Sequence, residues 1–281
     1  MALQTIGILH PGSMGITVAA SIQSGGHRVL WASEGRSQAT RDRASQAGLE
    51  DVRYLNELIR AAQIIISVCP PHAAVDLARS VIQGGFKGVY LDVNAIAPAT
   101  SRRIMEIVLP QAQYVDGGII GPPALKPGTT RLYLSGLQSG AIKELFNRGN
   151  LEALVIGDTP GKASALKICY AAWSKGSSAL LLAVRALAEV EEITEFLLKE
   201  WDLSQPGLRT RSETAAAGSA PKAWRFIGEM EEIASTFREA GLPESFHLGA
   251  AEIFKRLLAF KDQPGLLPLS QVLPEIIQRR E

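Results

Sequence analysis

The sequence predicts an α/β fold, a doubly wound parallel sheet followed by an all-helical C-terminal domain. Three observations lead there. The chain opens with an apolar strand, a glycine turn and a helix start, Thr5 to Gly15. Strand and helix patterns then alternate at βαβ spacing as far as Gly157. From Gly157-Asp158-Thr159-Pro160-Gly161 onward no strand pattern recurs and apolar residues fall at helical spacing. The expected division is 1–158 for the sheet and 159–281 for the helices, the latter beginning with one long helix.

The opening stretch sets the expectation for the rest. Ile6 to Leu9 is an apolar run, broken at His10-Pro11-Gly12 and followed by Ser13, Met14 and Gly15. A helix N-terminus carries unpaired N–H groups and partial positive charge, so it holds phosphate well. Gly12 allows a pyrophosphate close to the backbone, and Gly15 allows the helix to pack tightly on the strand. His10 stands where the G-x-G-x-x-G fingerprint has its first glycine, so the motif is incomplete. Its context, strand before and helix after, still marks a Rossmann nucleotide site.

Composition narrows the alternatives. The 281 residues carry a formal net charge of +1 and only two cysteines, Cys69 and Cys169. Neither a nucleic-acid partner nor a polybasic membrane contact is expected from that balance. Two cysteines suggest no disulfide framework or zinc site, and no metal is expected. The first residues enter a strand without a basic leader, and the most apolar run, Ala179 to Val184, is too short to span a bilayer. A cytoplasmic protein is expected.

The elements follow in order. A helix over Ser13 to Ser24 leads into a strand, His27 to Ala32. The next turn, Ser33-Glu34-Gly35-Arg36-Ser37, lies where such folds meet the adenosine ribose. Arg36 between Ser33 and Ser37 suits a 2′-phosphate and favours NADP; Glu34 leaves NAD possible. Ser37 also suits the N-cap of a helix, Gln38 to Ala47. A short strand (Asp51 to Tyr54) and a helix (Leu55 to Ala62) precede Gln63 to Val68, whose uniform apolarity reads as a strand buried on both faces. It ends at Cys69-Pro70-Pro71, a rigid loop at the edge where open α/β sheets bind ligands. Cys69 reads as a packing residue and His72 as a helix-start residue beside this loop. A helix (Ala73 to Ile82), a strand (Gly88 to Asp92), the Asn94 loop and a helix from Pro98 to Val108 come next. Asn94 joins His10 to Met14, Ser33, Arg36, Ser37 and Cys69 to Pro71 as an expected cofactor contact.

Gln113 to Gly118 reads as a strand ended by its glycine pair, and the apolar, Gly- and Pro-rich loop Ile119 to Gly128 as a cleft wall. Thr130 to Ser135 and Leu154 to Gly157 are the last expected strands, around a helix from Ser139 to Arg148. The helical half is expected as one tract from Ala163 to Glu200, then Ser204 to Ala217, Lys222 to Ala240 and Glu244 to Phe260. Ser212 to Pro221 is the expected flexible piece.

This layout, with Gly-Ile-Leu-His-Pro-Gly-Ser-Met-Gly at the start, Gly26-His27, Val115-Asp-Gly-Gly-Ile-Ile-Gly121 and Gly161-Lys-Ala-Ser-Ala-Leu-Lys167, resembles the β-hydroxyacid dehydrogenase and 6-phosphogluconate dehydrogenase superfamily. Gly228-Glu-Met-Glu-Glu-Ile and Gly241-Leu-Pro-Glu-Ser-Phe-His247 are most similar to its phosphogluconate-dehydrogenase-related branch, mostly of unassigned substrate. The resemblance implies an NAD(P)-dependent enzyme that moves a hydride between nicotinamide and a carbonyl or hydroxyl carbon of a small molecule, and a homodimer. It puts Lys167 on the family's catalytic lysine. An amine can pass or take the hydroxyl proton if its pKa is brought toward neutrality.

Two family features are replaced. Ala171 stands for an asparagine one helical turn past the lysine, and Ile120 for a serine that binds substrate carboxylate. The substrate is therefore expected to be less polar near the reacting carbon. Ile119, Ile120, Gly121, Tyr170, Ala171, Ser174 and His247 are the expected substrate contacts, Tyr170 and Ser174 offering replacement hydroxyls. A His placed just after a helix start, as His247 is, is more often a capping or core residue than an acid–base partner. Arg209, Arg211 and Lys222 could bind an anion or simply face solvent. Trp173, Trp201 and Trp224 suit core or dimer contacts. An imine reductase, a decarboxylating dehydrogenase and a non-catalytic NADP(H) sensor are the alternative functions.

Overall fold

The computed structural model describes residues 3–263 and 265–277. The chain divides into two compact units, Met1–Ile168 and Cys169–Glu281. The division falls inside a helix, ten residues beyond the boundary expected at 158.

The first unit is built on one eight-stranded sheet: β1 (Thr5–Ile8), β2 (Arg28–Trp31), β3 (Glu50–Asp51), β4 (Ile64–Ser67), β5 (Val89–Asp92), β6 (Gln113–Ile120), β7 (Thr130–Ser135) and β8 (Leu151–Gly157). Their order is β3-β2-β1-β4-β5-β6-β7-β8. The first six run parallel, β7 is antiparallel to β6, and β8 is parallel to β7. The sheet is therefore doubly wound, as expected, with a reversed pair at one edge. The order reverses between β1 and β4, which opens a crevice at their carboxyl ends.

Helices cover both faces: α1 (Gly15–Gln23), α2 (Gln38–Gln46), α3 (Leu55–Ala61), α4 (Ala74–Gln83), α5 (Pro98–Val108) and α6 (Ser139–Lys143). Period-two alternation within the strands makes two cores. Ile6, Ile8, Ile64 and Ile66 pack with Val18 and Ile22 of α1 on one face. Ile65 and Tyr90 pack with Leu58, Ala78, Val81 and Ile104 on the other. Burial on both faces explains why β4 reads as an unbroken apolar run.

One boundary changes the reading of the site. β6 does not end at Gly117-Gly118 but continues to Ile120, paired with Arg131 of β7. The glycines are close-approach positions: a methyl on Gly117 would lie 2.6 Å from Val93 Cγ1, and one on Gly118 2.6 Å from the Ala163 carbonyl oxygen.

The second unit is all helical, and among the described residues it holds no strand. Helix α7 (Lys162–Val190) begins in the first unit and supplies the start of the second. The expected tract to Glu200 is broken. Glu192 takes a left-handed conformation (φ 56°), and the Ile193 N–H closes back on the Ala188 carbonyl at 2.9 Å. Then follow α8 (Thr194–Ser204), α9 (Leu208–Ser219), α10 (Ala223–Glu239), α11 (Ser245–Arg256) and α12 (Leu269–Ile277). The segment expected to be flexible is mostly α9, with Ser212 and Ala220 fully buried. No described helix is long and apolar enough to cross a membrane.

Candidate active site

The glycine turn after β1 has the shape a diphosphate needs. A methyl on Gly15 would stand 2.1 Å from the His10 carbonyl oxygen, so only glycine lets α1 start this close to β1. A methyl on Gly12 would meet nothing within 4 Å, which leaves the space in front of the turn open. The Gly12 N–H bonds the His10 carbonyl at 2.8 Å, and the Ile16 N–H bonds the Gly12 carbonyl at 2.9 Å. Among the described residues the amides of Ser13, Met14 and Gly15 find no acceptor. These orphan donors, at the positive end of α1, fit an anion.

His10 is set back beside this turn. Burial first, and the Arg36 charge second, hold its imidazole down to about 4, so it is neutral at physiological pH. Pro11 is buried, and its carbonyl accepts from Arg43 at 3.2 Å, a residue of α2 that sequence reasoning did not single out. Ser33 is buried; Ser37 caps α2 by accepting from the Thr40 N–H at 3.4 Å. Arg36 is bonded through its backbone to the Ser33 carbonyl, and its guanidinium acts electrostatically on both His10 and Cys69. A depression beyond β2 is lined by Ser33, Glu34, Gly35, Arg41, Asp51 and Arg53.

Across the crevice, Asn94 ties two loops together. Its Oδ1 accepts from the Cys69 N–H at 2.5 Å; its Nδ2 donates to Ser67 Oγ and Asp92 Oδ2, each at 2.9 Å. Asn94 therefore fixes the Cys69-Pro70-Pro71 loop rather than presenting a free amide. The Cys69 thiol is pushed up to about 12, mainly by burial, so it is not a nucleophile. Asp92 lies beneath, 1 % exposed, its carboxyl raised to about 7 by burial. His72 is exposed in a short 3₁₀ turn, Pro71–Ala73.

Asp116 organises the other side. It is fully buried and five donors converge on it. Oδ2 accepts from the Gly161 N–H (2.9 Å), the Ser164 N–H (3.0 Å) and Ser135 Oγ (2.9 Å). Oδ1 accepts from Ser101 Oγ (2.9 Å) and Ser164 Oγ (2.5 Å). Ser135 Oγ in turn accepts from the Ala163 N–H at 3.1 Å. The sequence signal for this cluster was an acidic residue inside a buried strand beside glycines.

Lys167, half-buried, follows one turn beyond Ala163 on α7. A methyl on Gly118 would lie 3.1 Å from Lys167 Cβ, so the lysine stem rests on the end of β6, at the same carboxyl edge of the sheet as the glycine turn. Strand alternation places Ile120 on the Gly118 side. Ile119 takes the opposite side and packs in the core with Leu132, so it does not join Lys167. Gly121 (φ 129°) starts the β6–β7 loop, where a methyl would stand 2.5 Å from the Thr129 carbonyl oxygen. That loop is pinned by the Ala124 N–H to Thr17 Oγ1 at 3.1 Å.

In the second unit, Ala171 is buried, Ser174 half-buried and Tyr170 half exposed along α7. His247 is a packing residue here: 5 % exposed, with Phe237 at 4.2 Å and Phe246 at 5.8 Å between ring centroids, and close to Gly176. Gly176 is nine residues past Lys167, half a turn around the helix. Arg209 pairs with Asp202, and Arg211 bonds Ser177 Oγ and lies over Trp173. Among the described residues no cluster of His, Cys, Asp or Glu could hold a metal.

Comparison with known proteins agrees with this architecture. Residues 188–257 match a domain of unknown function, DUF1932. The chain is 31 % identical over 169 residues to an uncharacterised 28.5 kDa protein of Methanothermus fervidus, from the 5′ region of 7S RNA. That match takes in 58 % of this chain and spans 64 % of the length of the curated relative. Conserved protein MTH1747, of unknown function and structurally similar to 3-hydroxyacid dehydrogenases, is 26 % identical over 91 % of this chain and 98 % of its own, with a TM-score of 0.71. Mycobacterium tuberculosis 3-hydroxyisobutyrate dehydrogenase, solved with L-serine, shares 16 % identity and a TM-score of 0.72 over 97 % and 99 % of the two chains. A reductive aminase from Aspergillus terreus, solved with a form of NADPH, cyclohexanone and allyl amine, shares 20 % identity and a TM-score of 0.57, again over 97 % and 99 %.

A doubly wound sheet with a phosphate-type glycine turn, running through its last strand into a long helix and an all-helical unit, defines a two-unit protein of the Rossmann class. Within that class the chain shares its fold with the 3-hydroxyisobutyrate dehydrogenase and the reductive aminase above.

Proposed function

We propose that this protein is an NAD(P)-dependent oxidoreductase acting on a carbonyl or hydroxyl carbon of a small organic molecule, with Lys167 as proton donor or acceptor. The observation that carries this reading is the seat of Lys167 on Gly118, at the carboxyl edge of the sheet that also holds the open glycine turn. The orphan amides of Ser13, Met14 and Gly15 would hold the diphosphate of a dinucleotide. Arg36, Ser33 and Ser37 would hold a 2′-phosphate, with Arg41 and Arg53 at the rim, which favours NADP over NAD. The bound dinucleotide supplies the hydride donor or acceptor.

The chain's own residues then do the rest. Lys167 Nζ delivers a proton to a carbonyl oxygen in reduction, or takes the hydroxyl proton in oxidation. Ile120 and Ala171 bring apolar surface where the superfamily pattern has hydrogen-bonding groups, so the substrate is less polar near the reacting carbon than a small 3-hydroxy acid. A homodimer is part of the same reading, since α7 carries exposed apolar residues.

The test is a panel of 3-hydroxy acids with NADP⁺, and of ketones and cyclic imines with NADPH, run on the wild type and Lys167→Met. Turnover on a ketone or alcohol that falls by about 10²–10⁴ in the variant, with NADPH affinity kept, supports the assignment. Wild-type turnover in Lys167→Met overturns it. The reductive aminase likeness makes imine reduction the second reading, and a preference for cyclic imines over ketones would select it.

A further inference from the structure

We propose that Asp116 is a positioning residue for Lys167, holding the first turn of α7 against the sheet so that the amine is presented from a fixed point. The inference rests on the proposed role of Lys167 and goes beyond it to what sets the amine's place. A carboxylate at 0 % exposure is costly unless fully bonded, and here three of its five bonds come from Gly161 and Ser164, the groups that define where α7 starts. Gly161 and Ser164 bind it directly, and Ala163 through Ser135. Its negative charge also sits at the positive end of the α7 dipole. Ser101 and Ser135 tie the same carboxylate to α5 and β7, so α7 is referenced to the sheet from three sides.

Gly118 removes the remaining slack. With only 2.6 Å from a would-be methyl to the Ala163 carbonyl, the helix backbone already lies against β6 as closely as a glycine permits. Lys167 stands one turn from Ala163, a span over which a helix is stiff. A misplacement of about 1 Å in a reacting group can cost on the order of 10²-fold in rate, so a rigid mount for the amine is a catalytic requirement. Asp116 does not itself touch the reacting atoms in this scheme; it acts through the helix.

Ser135 tests the mount while Asp116 and Lys167 themselves are left in place. Ser135→Ala removes one donor to the carboxylate and the acceptor of the Ala163 N–H; Ser135→Thr keeps the hydroxyl. Asp116→Asn is the stronger variant, because it turns an NH₂ toward donors. On the full chain, hydrogen exchange of the 161–168 segment is expected to quicken about tenfold or more in Ser135→Ala, with the other strands still protected. NADPH affinity should stay within about twofold, kcat on the best ketone or imine of the panel should fall about tenfold or more at nearly constant KM, and Ser135→Thr should restore both. Faster exchange at unchanged kcat overturns the inference, as does a fall in kcat that appears only with global loss of protection. Lys167→Met running at the wild-type rate overturns the underlying assignment instead, and the exchange data separate that failure from the first.

Discussion

At the scale of single residues, the site is governed by groups whose charge is set by burial. His10 and Asp92 run in opposite directions. The folded chain holds the Asp92 proton more tightly than the unfolded chain does, with a carboxyl raised from 3.8 to about 7. Its contribution to stability is full below about pH 4 and is lost as pH rises through 7. His10, lowered to about 4, contributes above about pH 6.5, and that contribution is lost as pH falls through 4. Thermal unfolding followed from pH 4 to 8 checks this: Asp92→Asn should lose the downward slope that Asp92 gives the wild type between pH 4 and 7. An unchanged slope refutes the assignment. Much of this scale was legible in the chain. Gly15 announced the turn because only glycine lets α1 start this close to β1, and Gly12 because it leaves the space in front of the turn open. Asp116 and Asn94 were visible as residues but not as hubs, since five donors from α5, β6's neighbour and α7 meet only in three dimensions.

At the scale of elements, β6 and α7 are one device. Gly118→Ala would drive a methyl to 2.6 Å from the Ala163 carbonyl oxygen and 3.1 Å from Lys167 Cβ. Overpacking of this kind costs about 1–3 kcal/mol. The expected outcome is a lower denaturant midpoint at unchanged m-value, together with a larger loss of turnover than of NADPH binding. The alternating βα pattern gave away nearly every strand of the first unit, because parallel strands buried on both faces have little freedom in composition. It misjudged β6, whose glycines resembled a turn but serve close contacts. It also ran past the end of α7, because a glutamate rather than a glycine takes the left-handed position there. The final helix, α12, escaped notice because Pro274 interrupts its pattern.

At the scale of the whole molecule, two solution properties follow. A dinucleotide that binds only the folded state stabilises it by about 2.7 kcal/mol at a hundredfold excess over Kd. NADPH should therefore raise the melting temperature, and raise it more than NADH if Arg36 reads a 2′-phosphate; Arg36→Ala should erase that difference while sparing the NADH shift. Along α7, Trp173, Leu180 and Leu187 recur every seventh residue and are 68 %, 49 % and 60 % exposed. A helix with such a seam seeks a partner. Sedimentation should give twice the 30.1 kDa chain mass, and Leu180→Glu with Leu187→Glu should halve it. A monomeric wild type would remove the dimer from the reading.

The corner at Glu191-Glu192 gives the experimenter a practical opening. It is solvent-facing and closed by its own hydrogen bonds, the Glu191 N–H to Leu187 and the Ile193 N–H to Ala188. Corners of this sort accept foreign residues well. A fluorescent label or a short epitope introduced there reports on the helical unit without interrupting α7 or α8.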